Sequence, residues 1–152
     1  DPVKYKNTTR EQWQTAAEAW YRWSSTLKQW LGPATHRMLD MAGVAEGHKV
    51  LDIAAGAGEQ SITAAERVGP GGYVLATDIS SNILEYAKQM AEGAGYKNIE
   101  TAVMDGENLE LEELQGISGL KALRVEVNLQ NDQAPLLADA TKAAARSSVL
   151  RK

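Results

Sequence analysis

The sequence predicts an α/β domain in which helices cover a parallel sheet. Three observations carry this. Short apolar segments of strand length alternate with amphipathic helical segments from about residue 50 to residue 104. The strand segments lack clean polar alternation, as strands covered on both faces do. A loop of only Ala and Gly, within VLDIAAGAGEQS at 50–61, joins the first strand to a helix, the arrangement that puts ligands at the carboxyl edge of such sheets.

The elements follow in order. Thr8 and Thr9, with Glu11 and Gln12 three residues on, fit a capping box opening a helix over 8–31. Trp13, Ala16, Ala17, Trp20, Trp23, Leu27, Trp30 and Leu31 recur at helical spacing, and Gly32-Pro33 is the expected stop. A second helix spans 34–42, with Gly43 closing it. Val50–Ala54 reads as a buried strand, Gln60–Val68 as a helix ended by Gly69-Pro70-Gly71-Gly72, and Tyr73–Ile79 as a second strand. Ser80 or Ser81 caps a helix carrying Ile83, Leu84, Ala87, Met90, Ala91 and Ala94, and Ile99–Met104 is a third strand. Right-handed crossovers between successive parallel strands are expected.

At 152 residues the chain reads as one domain, and 43% hydrophobic with 24% charged residues is an ordinary globular composition. No apolar run approaches the roughly 18 residues of a membrane-spanning helix, so no membrane partner is expected. The absence of Cys removes disulfides, thiolate nucleophiles and Cys-based metal sites, and fits a reducing, cytoplasmic compartment; no metal is expected. The N-terminus is polar, without a signal peptide, and opens at Asp1 instead of Met, the mark of a trimmed chain. A net charge of −4 gives no basic face for nucleic acid. Charge shifts along the chain: residues 1–115 carry 10 Lys and Arg against 17 Asp and Glu, residues 116–152 carry 6 against 3.

Gly56 and Gly58 let a ligand lie against the main chain, and the helix that follows offers free N–H groups. A tight turn with no ligand explains such a loop equally well. Two acids add to it. Asp78 ends the second strand, where a carboxylate accepts two hydrogen bonds from a ribose diol. Asp105 follows the third strand, where it accepts from an adenine amino group; Ile79 and Met104 flank the two acids and suit a flat ring. Each acid alone is also what a strand end or helix cap uses. A dinucleotide loop would place a third Gly where Ser61 stands, and Glu59 sits at the helix start where a pyrophosphate would dock. The pattern therefore favours a nucleoside without phosphates and with a cationic part. S-adenosylmethionine is such a molecule, and Asp52 and Glu59 suit its positive charges.

As a set, VLDIAAGAG, VLATDIS and MDGENLEL resemble the first three motifs of class I S-adenosylmethionine-dependent methyltransferases, in the small-molecule branch similar to ubiquinone and menaquinone methyltransferases. The resemblance covers residues from about 10 to 111. Asp52, Gly56 and Gly58 match the first motif, with Ala54 in place of its first glycine. The resemblance implies a three-layer Rossmann-like parallel sheet and S-adenosylmethionine as cofactor. It implies ribose recognition by Asp78, adenine recognition by Asp105, ring packing by Ile79 and Met104, and a place for Gly106 in the binding set. It also implies that the Trp-rich N-terminal helices cover cofactor and substrate.

Three segments follow: an N-terminal helical cap at 1–46, a cofactor-binding α/β half at 47–115, and an atypical strand–helix segment at 116–152. After the third motif the family pattern of an apolar–acid pair is absent. LRVEVNL at 123–129 is the candidate fourth strand and 134–150 the next helix, so the fold reads as truncated after the third or fourth strand. His36, on the second helix, is the one candidate general base; His48 precedes the first strand, at the end away from the ligand. The Trp stripe suits core or interface, including a homodimer contact. The expected activity is methyl transfer to a small molecule. The rival readings are a cofactor-binding module without turnover and a structural, domain-swapped assembly unit.

Overall fold

The computed structural model describes residues 1–109 and 120–124. In chain order the elements are α1 (Pro2–Arg22), α2 (Ser24–Met41), β1 (Lys49–Ile53), α3 (Glu59–Val68), β2 (Tyr73–Asp78), α4 (Ser81–Gly93), β3 (Ile99–Val103) and β4 (Leu120–Arg124). The expected readings for 125–129 and 134–150 lie outside the described residues.

The four strands form one parallel sheet in the order β3-β2-β1-β4. Ile53 pairs with Thr77 on one side and Arg124 on the other, and Asp78 pairs with Val103, so the carboxyl ends of the strands line up. From β1 the chain steps to β2 and then β3, whereas β4 lies on the other side of β1. That reversal falls at the carboxyl end of β1, the place where open parallel sheets bind ligands. The α/β open-sheet fold predicted from the sequence is the fold observed.

Residue parity explains the core. Val50 and Val74 face α2 and α3, packing with Leu39, Val44, Ala64, Ala65 and Val68. Leu51, Ile53 and Leu75 point to the opposite face and form a second cluster with Met104. Burying a Val or Leu side chain contributes roughly 1.5–3 kcal/mol, which is why each face of β1 carries apolar residues. α3 and α4 meet closely at one point: a Cβ on Gly58 would lie 3.0 Å from the Cβ of Ala87.

The N-terminal helices depart from the sequence reading. α1 starts at Pro2, not at Thr8, because Asp1 caps it by accepting from the Val3 N–H at 3.0 Å and Pro2 takes the first helical position. The hydroxyl of Thr8 instead donates back to the Lys4 carbonyl. The break between helices falls at Trp23, not at Gly32-Pro33. There the buried Ser24 hydroxyl turns onto the carbonyls of Trp20 and Tyr21, competing with the helical ladder. Pro33 sits inside α2. The carbonyl it deprives of a donor belongs to exposed Gln29, where water can serve, while buried Thr35 and Leu39 anchor the second half of the helix. None of the four Trp joins the core: Trp13, Trp20, Trp23 and Trp30 are 40%, 39%, 60% and 75% exposed. The fourth strand also begins three residues before the expected Leu123.

No helix among the described residues is long and apolar enough to cross a membrane.

Candidate functional site

The site is the turn after β1 with the two strand ends beside it. The turn is tight: Ala55 N–H donates to the Thr77 carbonyl at 2.9 Å and Gly58 N–H to the Ala55 carbonyl at 3.1 Å. Ala54, Gly56 and Gly58 all have positive φ, at 60°, 59° and 94°. Ala54 is the one described non-Gly residue held there, a conformation that costs an L-residue roughly 1–2 kcal/mol. The two glycines differ in purpose. A Cβ on Gly56 would meet nothing within 4 Å, so its missing side chain leaves open space over the loop. A Cβ on Gly58 would strike Ala87, so that glycine serves the approach of α4 to the start of α3. The sequence reading assigned both to ligand approach; the geometry divides them.

Asp78 is held between these parts. Its Oδ2 accepts from the Gly56 N–H at 3.1 Å and its Oδ1 from the Ser80 N–H at 3.0 Å. Each oxygen keeps lone pairs for further donors. Burial pushes its carboxyl above the ordinary value, the N–H groups of Ser80, Gly56 and Ile79 opposing.

Asp52 is 2% exposed and accepts from the Ser61 hydroxyl at 2.6 Å. Burial first, and then the charges of Asp78 and Glu59, push it from 3.8 up to about 7, with Ser61 opposing. Glu59 opens α3, and burial raises its carboxyl too; its own N–H, then Ser24 beside it, oppose the rise. Its Oε1 is buried with no hydrogen-bond partner among the described residues. Three carboxyls thus crowd the loop, and each is raised. Among the described residues no cluster of His, Asp and Glu could hold a metal ion.

Asp105 behaves in the opposite way. Lys6 of α1 donates to its Oδ2 at 2.5 Å and to Glu107 at 2.8 Å, and the Glu107 N–H donates to Oδ1. Lys6 holds the Asp105 carboxyl below its ordinary value. A Cβ on Gly106 would lie 3.1 Å from Ile53 Cγ2, so this glycine fits against the end of β1. Ile79 is half-buried beside Asp78, whereas Met104 is 6% exposed and packs into the core with Leu51, Ile53 and Leu75.

His36 is not brought to the site. Its Nδ1 lies 3.3 Å from Arg67, which also pairs with Asp40. Arg67 is in the last turn of α3, whereas Glu59 begins it, about 12 Å away along the axis. His48 accepts from the Ala45 N–H in a local turn, at the end away from the loop as expected. Sequence reasoning missed Lys6, Gln14 and Ser61. Lys6 and Gln14 act across 99 and 66 residues, and no local pattern marks them. Ser61 stands one turn into a helix beside an acidic strand end, a signal that was present.

Residues 45–142 match the family described as a methyltransferase domain. The chain belongs to the class I S-adenosylmethionine-dependent methyltransferases. It is 44% identical over 71 residues to a protein-L-isoaspartate O-methyltransferase of Aeropyrum pernix, covering 46% of this chain and 27% of that one. It is 39% identical over 75 residues to the aklanonic acid methyltransferase of Streptomyces sp. strain C5, covering 49% and 34%. It is 37% identical over 71 residues to the demethylmenaquinone methyltransferase of Lactococcus lactis, covering 47% and 27%. The matched stretch thus spans between about a quarter and a third of these relatives' length. In fold, the chain is similar to a Methanococcus maripaludis protein assigned as an S-adenosyl-L-methionine-dependent methyltransferase: TM-score 0.65 at 19% identity, over 88% of this chain and 58% of that one.

Proposed function

We propose that this methyltransferase chain binds S-adenosylmethionine at the carboxyl end of β1 and serves methyl transfer to a small molecule. The observation that carries the reading is Asp78: a half-buried carboxylate fixed at both oxygens by backbone N–H groups, one of them from Gly56, over which a Cβ would meet nothing within 4 Å. Such an acceptor suits a vicinal diol. Buried Glu59 Oε1, lacking a partner among the described residues, and raised Asp52 suit the positive charge of the donor's methionyl part.

In this reading Asp78 holds the ribose and Asp105, once free of Lys6, the adenine amino group; Gly56 admits the ligand and Ile79 lies against the ring. The bound cofactor would supply a methyl group activated by a sulfonium. The chain's own task is to hold it in line, since displacement at a methyl depends mainly on positioning. No described side chain is assigned as a general base. The helices of residues 1–46 form a cap over 47–109, tied to it by Lys6 and Gln14.

The aklanonic acid and demethylmenaquinone methyltransferases among the relatives support a small-molecule acceptor, and the protein-L-isoaspartate O-methyltransferases a protein one. Calorimetry with S-adenosylhomocysteine tests cofactor binding, and a turnover assay with a quinol and an isoaspartyl peptide separates the acceptors. Binding without turnover on either supports the module reading, and no binding the structural one. A homodimer through the exposed Trp surface is the partner reading, and sedimentation tests it.

A further inference from the structure

Among the described residues, the polar contacts between α1 and the sheet domain are concentrated at Lys6 and Gln14. Gln14 Oε1 accepts from the Ser80 hydroxyl at 2.8 Å and from the Asn82 N–H at 2.9 Å, and its Nε2 donates to the Ser81 hydroxyl at 3.1 Å. Asn82 Nδ2 donates to the Gln14 carbonyl at 3.3 Å. The polarity of the amide is set by its partners: two donors meet the oxygen and an acceptor meets the nitrogen.

Ser80 is the residue on which these contacts converge. It is 0% exposed. Its hydroxyl caps α4 by accepting from the Ile83 N–H at 3.3 Å, and its own N–H holds Oδ1 of Asp78 at 3.0 Å. With the hydroxyl hydrogen given to Gln14, the lone pairs of Ser80 are left for the cap. Without Gln14 the buried hydroxyl and the Asn82 N–H both lose their partner, and the segment linking β2 to α4 loses its anchor. That segment carries one of the two N–H groups that orient Asp78. Ala17, one turn further along α1, packs with Ala57 and Ile83, so α1 remains docked when the amide is removed.

We infer that Gln14 is a positioning residue for the diol acceptor: through Ser80 it fixes the carboxylate of Asp78 against the Gly56 loop. The inference rests on the assignment of Asp78 to a ribose. It makes α1 part of the ribose site through one side chain, not merely a cover over it.

The test compares S-adenosylhomocysteine with its 2′,3′-dideoxyribose analogue on the full chain, by calorimetry, in wild type, Gln14→Leu and Gln14→Glu. Wild type should prefer the diol by roughly tenfold or more. Gln14→Leu should bring the preference to within about twofold, because the acceptor is no longer oriented. Gln14→Glu keeps the acceptor for Ser80 and Asn82, and a carboxylate suits the start of α4, so it should retain the wild-type preference. A residue that only docks α1 would weaken both ligands alike and leave the ratio unchanged in Gln14→Leu. That result, or loss of the ratio in Gln14→Glu, overturns the inference while the ribose reading of Asp78 stands. A wild type without preference overturns the ribose reading itself, and this inference with it.

Discussion

The backbone N–H of Gly56 donates to Oδ2 of Asp78 across 3.1 Å, joining the turn after β1 to the end of β2. With Ser80 N–H on the other oxygen, the carboxylate has one fixed orientation. Asp78→Ala should therefore weaken S-adenosylhomocysteine by roughly 1.5–3 kcal/mol, the range for a hydrogen bond to a charged group. It should weaken a ribose-lacking analogue much less. Equal losses in calorimetry would place Asp78 in the fold and not in the site.

The loop separates strain from function. Ala54 is exposed at φ 60°, so Ala54→Gly removes strain without removing packing. It should stabilise the chain by about 0.5–1 kcal/mol in urea unfolding, after the entropy that Gly loses. Gly58→Ala should destabilise, since its Cβ meets Ala87 at 3.0 Å and its φ is 94°. A neutral Gly58→Ala would contradict the packing role given to that glycine.

Asp52 gives the domain a pH dependence. Its folded value of about 7 lies above the ordinary 3.8, so between these values the native state holds a proton that the unfolded chain releases. Stability should fall as pH rises from about 4 to about 7 and then level off. Asp52→Asn still accepts from Ser61 but carries no charge, so it should flatten much of this window, by on the order of a few kcal/mol. Unfolding midpoints from pH 4 to 8 check it. A variant that loses more stability at pH 8 than at pH 5 would reverse the sign.

Lys6 occupies the carboxylate assigned to adenine, at 2.5 Å from Oδ2 of Asp105. A ligand using that oxygen must displace the ammonium. Lys6→Met should tighten S-adenosylhomocysteine by about two- to fivefold at low salt, and added salt should shrink the difference, as the pair is partly exposed. Weaker binding by Lys6→Met would instead make Lys6 a ligand contact.

The sheet was legible because its signals are local. The apolar runs of β1, β2 and β3, the Ser80 cap and the Gly69–Gly72 stop each fall within a few residues of their expected places. The helix break was not, because the Ser24 hydroxyl and the anchoring of α2 by Leu39 outweigh the usual effect of Gly32-Pro33. At the candidate site, the placing of Asp52, Gly56, Asp78 and Asp105 at or just after strand ends was visible from spacing. The face Met104 takes was not legible, because a residue at a strand end can turn either way and only packing against Leu51, Ile53 and Leu75 decides. The roles of Gln14 and Lys6 depend on the docking of α1, which no local pattern encodes.

The central claim is that the loop takes a nucleoside with a positive charge, not a diphosphate. Glu59 stands in the first turn of α3 with its carboxyl largely buried, so that helix end already has an acid beside it. A pyrophosphate there would displace it or meet it; two unit charges about 4 Å apart interact by roughly 4 kcal/mol at an effective dielectric of 20. The direct measurement is a calorimetric competition of NAD against S-adenosylmethionine, in wild type and Glu59→Gln. NAD should bind at least about a hundredfold more weakly, with the gap narrowing in Glu59→Gln. Displacement of S-adenosylmethionine by NAD at comparable concentration would contradict the account.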